Sequence, residues 1–165
     1  MKNNEKFLKL ARDEIKNNSL YLWGGQGESV EKTTPEKIQK METSQGNAAR
    51  ILKTLSAKLT AGCNMKKAKY FDCSGLVVDL LQRMELITND YTADGIYKEL
   101  CEPVKITDLK KGDLCFIDKD GKKVHVGIWD KENKQVIESA GRDLGVVGRG
   151  MNKNGWNAFG RLKCL

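Results

Sequence analysis

The stretch that most constrains how this chain can fold is Tyr70-Phe71-Asp72-Cys73-Ser74-Gly75-Leu76-Val77, with the amphipathic run it opens. Leu76, Val77, Leu80, Leu81 and Met84 recur at three- and four-residue intervals, which predicts a helix running to about Leu86 whose apolar stripe has to be buried. Asp72 is the expected cap, its carboxylate accepting backbone N–H groups of the first turn. Cys73 then falls in that turn, where unpaired N–H groups and the positive end of the helix dipole favour thiolate over thiol. Gly75 leaves a position without a side chain, open to close approach by a substrate or another backbone. From position alone Cys73 reads equally as a nucleophile or as an ordinary buried cysteine.

A thiolate nucleophile needs a base, and the chain has a single histidine. If the site is Cys/His, the base is His125. It stands in Val124-His125-Val126-Gly127-Ile128-Trp129, a strand-like alternation with His125, Gly127 and Trp129 on one face and Val124, Val126 and Ile128 on the other. After the turn Asp130-Lys131-Glu132-Asn133-Lys134 comes a second strand, Gln135 to Ala140. A connecting loop of two or four residues puts Glu138 on the face of His125, where its carboxylate can accept a bond from the imidazole and fix its tautomer; an odd loop turns it away.

Taken in order, Phe71-Asp72-Cys73-Ser74-Gly75-Leu76-Val77, Leu109-Lys110-Lys111-Gly112-Asp113-Leu114, His125-Val126-Gly127-Ile128-Trp129 and Ile137-Glu138-Ser139-Ala140 resemble the signature of the NlpC-type cysteine endopeptidases of bacterial cell walls. Tyr21-Leu22-Trp23-Gly24-Gly25 is similar to that family's upstream tyrosine motif, and the resemblance runs from about Phe7 to the C-terminus. It implies an α+β, papain-like fold, in which a helix carrying the cysteine packs on an antiparallel sheet of about five strands carrying the histidine. It implies Cys73 as nucleophile, His125 as general base and Glu138 as the third polar residue, where many members have histidine, asparagine or glutamine. Tyr21 matches the tyrosine lining the site, and Asp72 and Ser74 match positions that hold the peptide substrate. The implied reaction is hydrolysis of peptidoglycan stem peptides between D-glutamate and diaminopimelate or lysine, through a thioester, with no metal or organic cofactor. An amidase or acyltransferase on the same scaffold, and a non-catalytic wall-binding or virion domain, are the alternatives.

A formal charge of +7 points to an anionic partner. Peptidoglycan stems carry carboxylates; no nucleic-acid motif accompanies the charge. The five cysteines, Cys63, Cys73, Cys101, Cys115 and Cys164, are odd in number and include no Cys-x-x-Cys pair. That speaks against a disulfide framework or a zinc cluster and suits a reducing cytoplasm. Met1 to Ser19 lacks the apolar core of a signal peptide, and no later run is long enough to insert in a membrane. The expectation is a monomer made in the cytoplasm that reaches the wall on release, by analogy with a bacteriophage or prophage endolysin.

The chain reads as one domain, 1–165, with a helical insertion at about 28–69, longer than the family's usual gap between tyrosine and cysteine motifs. Asn4 to Asn17 is a helix with Phe7, Leu8, Leu10, Ala11 and Ile15 inward. Tyr21 and Trp23 by themselves are core aromatics, Trp23 more readily, and Gly24 to Gly27 is a flexible turn. In the insertion, Thr34 and Pro35 start one helix, which breaks near Gln45-Gly46-Asn47 before a second. Thr92 caps a short helix that Pro103 ends. Leu114 to Ile117 is the first core strand, with Cys115 as packing, and Leu144 to Val147 and Trp156 to Leu162 are the last two. Arg142 and Arg149 fall in or beside loops, exposed and free to meet substrate carboxylates.

Overall fold

The computed structural model describes residues 1–165. The first helix, α1 (Asn3–Lys16), buries Phe7, Leu8, Ala11 and Glu14, and stops where Asn18 takes a left-handed φ of 62°. Two short strands follow, β1 (Leu20–Tyr21) and β2 (Gln26–Ser29), and then two helices, α2 (Pro35–Met41) and α3 (Gln45–Thr60). Thr34 and Ser44 cap these through side-chain oxygens, so the break falls at Glu42 to Ser44, slightly earlier than the glycine suggested. The strand β3 (Lys69–Phe71) leads directly into α4 (Cys73–Arg83).

Leu76, Val77, Val78, Leu80 and Leu81 of α4 are buried, each worth about 1.5–3 kcal/mol relative to exposure, which fixes the helix and thereby its first residue, Cys73. They meet Phe7, Leu8 and Ala11 of α1 and one face of a six-stranded antiparallel sheet through Phe116, Val126, Ile128 and Ile137. That sheet consists of β4 (Cys101–Pro103), β5 (Leu114–Lys119), β6 (Lys122–Asp130), β7 (Gln135–Ser139), β8 (Val146–Arg149) and β9 (Ala158–Leu162), in the order β4-β9-β5-β6-β7-β8. A smaller cluster, Leu109, Cys115, Val136 and Phe159, lies together with Trp129, Met151 and Trp156.

The α+β architecture is the expected one, with differences in detail. The sheet has six strands rather than about five, because Cys101–Pro103 is an edge strand paired with β9; the short helix before it, α5 (Ala93–Gly95) continued by a wider turn to Leu100, ends without needing Pro103. A second, three-stranded sheet of order β1-β3-β2 was not foreseen, and it takes up the supposed flexible turn at Gly24 to Gly27. β1 runs parallel to β3, and the α2 and α3 helices cover this sheet through Leu20, Leu22, Ile38, Ala48, Ile51 and Tyr70. Leu20 and Leu22 alternate inward, so Tyr21 and Trp23 face the other way and Trp23 is 52 % exposed, the reverse of the core expectation. No helix is long and apolar enough to cross a membrane.

Candidate active site

Asp72 joins the cysteine helix to the tyrosine segment. Its Oδ1 accepts the Gly75 N–H at 2.6 Å and the Ser74 hydroxyl at 3.3 Å, and its Oδ2 accepts the Gly24 N–H at 3.1 Å. Burial raises the carboxyl's pKa against the pull of these donors. The side-chain-free position at Gly75 is used by a backbone: an added Cβ would overlap the Gly25 carbonyl oxygen. The buried Ser139 hydroxyl, on β7, donates to the Phe71 carbonyl at 2.7 Å and so ties the sheet to the residue two before the cysteine. Cys73 itself is partly exposed. Burial pushes the Tyr21 phenol up to about 12, with the nearby Cys73 charge adding to the effect, so its hydroxyl keeps its proton.

The imidazole comes from the sheet. Asp130 pairs with Gln135, so four residues separate the strands, and the even loop sets Glu138 on the His125 face. His125 Nε2 lies 3.0 Å from Glu138 Oε1. With the carboxylate as acceptor, Nε2 carries the proton and Nδ1 is the nitrogen left for the thiol. Burial of the ring opposes its charge, but hydrogen bonds and charge from Cys73 and Glu138 outweigh this and hold the pKa up at about 9. The lone imidazole and the helix-entrance sulfur are therefore neighbours, although fifty-odd residues separate them in sequence.

One strand residue departs from simple alternation. Ile117 pairs with His125 but Asp118 pairs with Lys123, so Val124 is the extra residue of a bulge and is 43 % exposed instead of joining Val126 and Ile128 in the core. Gly127, on the His125 face, leaves room for Trp156, whose ring stacks on His125 at a centroid distance of 5.3 Å and 18° between planes. Nothing in the sequence pattern announced Trp156 as a neighbour of the site.

Glu138 is 1 % exposed, and its Oε1 accepts from three donors: His125 Nε2, Arg149 at 3.0 Å and the Asn154 amide at 2.9 Å. The other oxygen, Oε2, is buried without a partner. Arg149 is thus turned to Glu138 rather than free for substrate. Arg142 is likewise engaged: its Nε donates at 2.8 Å to Glu42, a residue of the α2–α3 connection whose side chain is fully buried, and its guanidinium lies 5.2 Å from the centre of the Tyr21 ring. Arg142 and Arg149 were expected as solvent-facing loop residues. Their acidic partners, 100 and 11 residues away, lay outside any local pattern. Cys115 is buried and packs as expected.

Four surface hollows of about 300 to 560 Å³ are lined by other residues. A thiol beside an imidazole that is in turn held by a buried carboxylate is the set of groups that nucleophilic acyl transfer uses. No group of three or more potential metal ligands is present.

A model of the NlpC/P60 family matches residues 18–161. The fold is similar to the crystal structure of the NlpC/p60 domain of the peptidoglycan hydrolase SagA, with a TM-score of 0.60 at 17 % identity, covering 98 % of this chain and 100 % of that one. It is similar in the same degree, TM-score 0.60, to the P60 domain of antigen MAP1204 from M. avium subspecies paratuberculosis, at 18 % identity with 98 % of both chains covered. RipD from Mycobacterium tuberculosis, described as a non-catalytic NlpC/p60 domain protein adapted to peptidoglycan binding, also matches at a TM-score of 0.60, with 16 % identity and 98 % of both chains covered. No curated protein sequence matches the chain.

Proposed function

Because the chain belongs to the NlpC/P60 family of peptidoglycan hydrolase domains, we propose that it is a cysteine endopeptidase that cuts peptidoglycan stem peptides between D-glutamate and diaminopimelate or lysine. The observation that carries this reading is the grouping of Cys73, His125 and Glu138, with the imidazole 3.0 Å from a buried carboxylate and beside the thiol.

With a pKa near 9, His125 is imidazolium at neutral pH. The Cys73 sulfur adds to the scissile carbonyl carbon, and the oxygen takes up the negative charge facing the open N–H groups at the start of α4, with the Tyr21 hydroxyl as a further donor. As the C–N bond breaks, His125 gives its proton to the departing amine, leaving a thioester. The neutral imidazole then takes a proton from water, which adds to the thioester and releases the carboxylate product and the thiol. Glu138 holds the ring in the orientation both steps need. Asp72 and Ser74 flank the nucleophile and, with Tyr21, form the peptide-holding side. The positive charge favours encounter with an anionic wall.

RipD shows the same fold serving a protein described as non-catalytic, so a binding-only domain is the second reading. A thiol, imidazole and carboxylate already in register favour the enzyme. Purified walls of diaminopimelate and lysine type, digested and analysed by mass spectrometry, should yield fragments ending in D-glutamate. Cys73→Ala should bind walls, keep the wild-type circular dichroism spectrum and release nothing. Release of the same fragments by that variant ends the proposal, and intact stems with the wild-type protein favour the binding domain.

A further inference from the structure

We propose that Arg149 is a positioning residue for this site: with Asn154 it holds the Glu138 carboxylate as an anion whose Oε1 faces His125 through both protonation states of the ring. The inference rests on the assignment of Cys73, His125 and Glu138 above, and it adds two residues from β8 and the loop after it to the machinery.

The geometry is unusual in its division of labour. Three donors converge on Oε1, while Oε2 of the same carboxylate and Nε of Arg149 are both buried without a partner. Those two atoms are the second prong of an ordinary two-pronged arginine–carboxylate pair, which here stays single because Oε1 is shared with the ring. A carboxylate that is 1 % exposed with one oxygen unpaired has little reason to stay charged unless cations face it. Around it stand Arg149 of β8 and the His125 ring of β6. Cys115 of β5 is a thiol whose pKa burial and the charges of Asp113 and Glu138 push up, so it supplies no positive charge. Beyond the ring lie Cys73 of α4 and Tyr21 of β1, with Arg142, Glu42 and Asp72 behind the phenol.

When His125 is imidazolium, Glu138 has two cations beside it. Once the ring has given its proton to the leaving amine, only Arg149 is left. Without that charge the unopposed carboxylate holds the ring's proton more tightly, so the neutral imidazole that the second half-reaction needs is less populated at a given pH. Arg149 therefore matters most in the half-reaction in which the imidazole is neutral.

Since the chain has one histidine, the imidazole signals in ¹H–¹⁵N spectra titrate that residue alone, without any wall substrate. Removing a nearby cation raises the pKa of each group it faces. In Arg149→Met the ring should hold its proton to a pH about one unit higher than in the wild type, and the alkaline limb of Cys73 alkylation by iodoacetamide should move with it. Arg149→Lys, which keeps the charge, should leave both within a third of that change. Arg149→Gln replaces the methionine variant should the latter not fold. A ring titration that is the same in Arg149→Met or Arg149→Gln as in the wild type overturns the inference, as does an equal change in Arg149→Lys. Glu138→Gln separates this from the parent reading. It should lower the ring's pKa; if it does so while the Arg149 variants are silent, only Arg149 is misassigned, whereas no response to Glu138→Gln removes the triad itself.

Discussion

The ion pair between Glu42 and Arg142 offers the sharpest test of whether α2 and α3 belong to the site or merely sit beside it. Glu42 has no exposed side-chain surface, and it accepts the Trp23 backbone N–H at 2.8 Å as well as the Arg142 guanidinium at 2.7 and 2.8 Å. Removing one partner of a fully buried pair costs about 3–5 kcal/mol. Here the surviving guanidinium is 16 % exposed and can turn toward water, so the expectation for Glu42→Ala is nearer 2–3 kcal/mol, roughly 1 of which is the stranded Trp23 N–H. In a chain of this size that lowers the melting temperature by about 5–10 °C. Urea unfolding of Glu42→Ala, Arg142→Ala and the double variant, followed by far-UV circular dichroism, should give a coupling energy of about 1–2 kcal/mol with an unchanged urea slope. Because the guanidinium lies over the Tyr21 ring, wall digestion under fully folded conditions should fall in all three. Single-variant losses that simply add, to within about 0.5 kcal/mol, would show that the two residues do not act as a pair and that α2 and α3 are not braced to the site through them.

Gly127→Ala should be destabilising by about 1–3 kcal/mol through overpacking, since its methyl would stand 2.5 Å from Val136 Cγ1 and 3.0 Å from the Trp156 ring; the tryptophan emission should change as that ring leaves His125, and unchanged emission with an unchanged melting temperature would contradict the packing described. The fully buried Asp130 carboxyl is penalised by burial, yet Arg12, Asn133 and Gln135 more than compensate and hold its pKa well below the usual carboxylate range. Its folded value is thus lower than its unfolded one, so its stabilising contribution is present above about pH 4 and is lost as the pH falls through the folded value. Thermal unfolding between pH 7 and 2 should show Asp130→Asn less acid-sensitive than the wild type, and parallel curves would refute the assignment.

What was legible in the sequence was whatever depends on local periodicity. The Asp72 cap, the stripe from Leu76 to Leu81 and the Thr34-Pro35 helix start follow from contacts within one or two turns. The parity relation between His125 and Glu138 was legible only as a condition on the loop between them, and the pairing of Asp130 with Gln135 meets that condition. Two kinds of feature escaped. The first is pairing between short segments: Leu20-Tyr21 and Lys69-Phe71 are too brief to show a strand period, and they become strands by binding each other across fifty residues. The second is the fate of polar side chains. Arg142 and Arg149 looked like loop arginines, and only the folded chain brings a buried carboxylate to each. Val124 shows a smaller failure of the same origin, because one bulged residue in β6 breaks the alternation that spacing alone predicts.

The site is assembled from three segments that share little sequence proximity, and each junction is a hydrogen bond between a side chain and a foreign backbone. Asp72 reaches the Gly24 N–H, Ser139 reaches the Phe71 carbonyl, and Glu42 reaches the Trp23 N–H. Such bonds are directional, and two of the three side chains involved are buried where an unmade bond has no water to replace it. Cys73 is therefore positioned by the apolar stripe behind it and by polar ties at its entrance, while His125 is positioned by the sheet register, the Trp156 stack and Glu138. A substitution that leaves the core intact but breaks one tie should loosen the sulfur relative to the imidazole without unfolding the chain. On this basis, loss of thiol reactivity should precede loss of secondary structure when the protein is destabilised gradually.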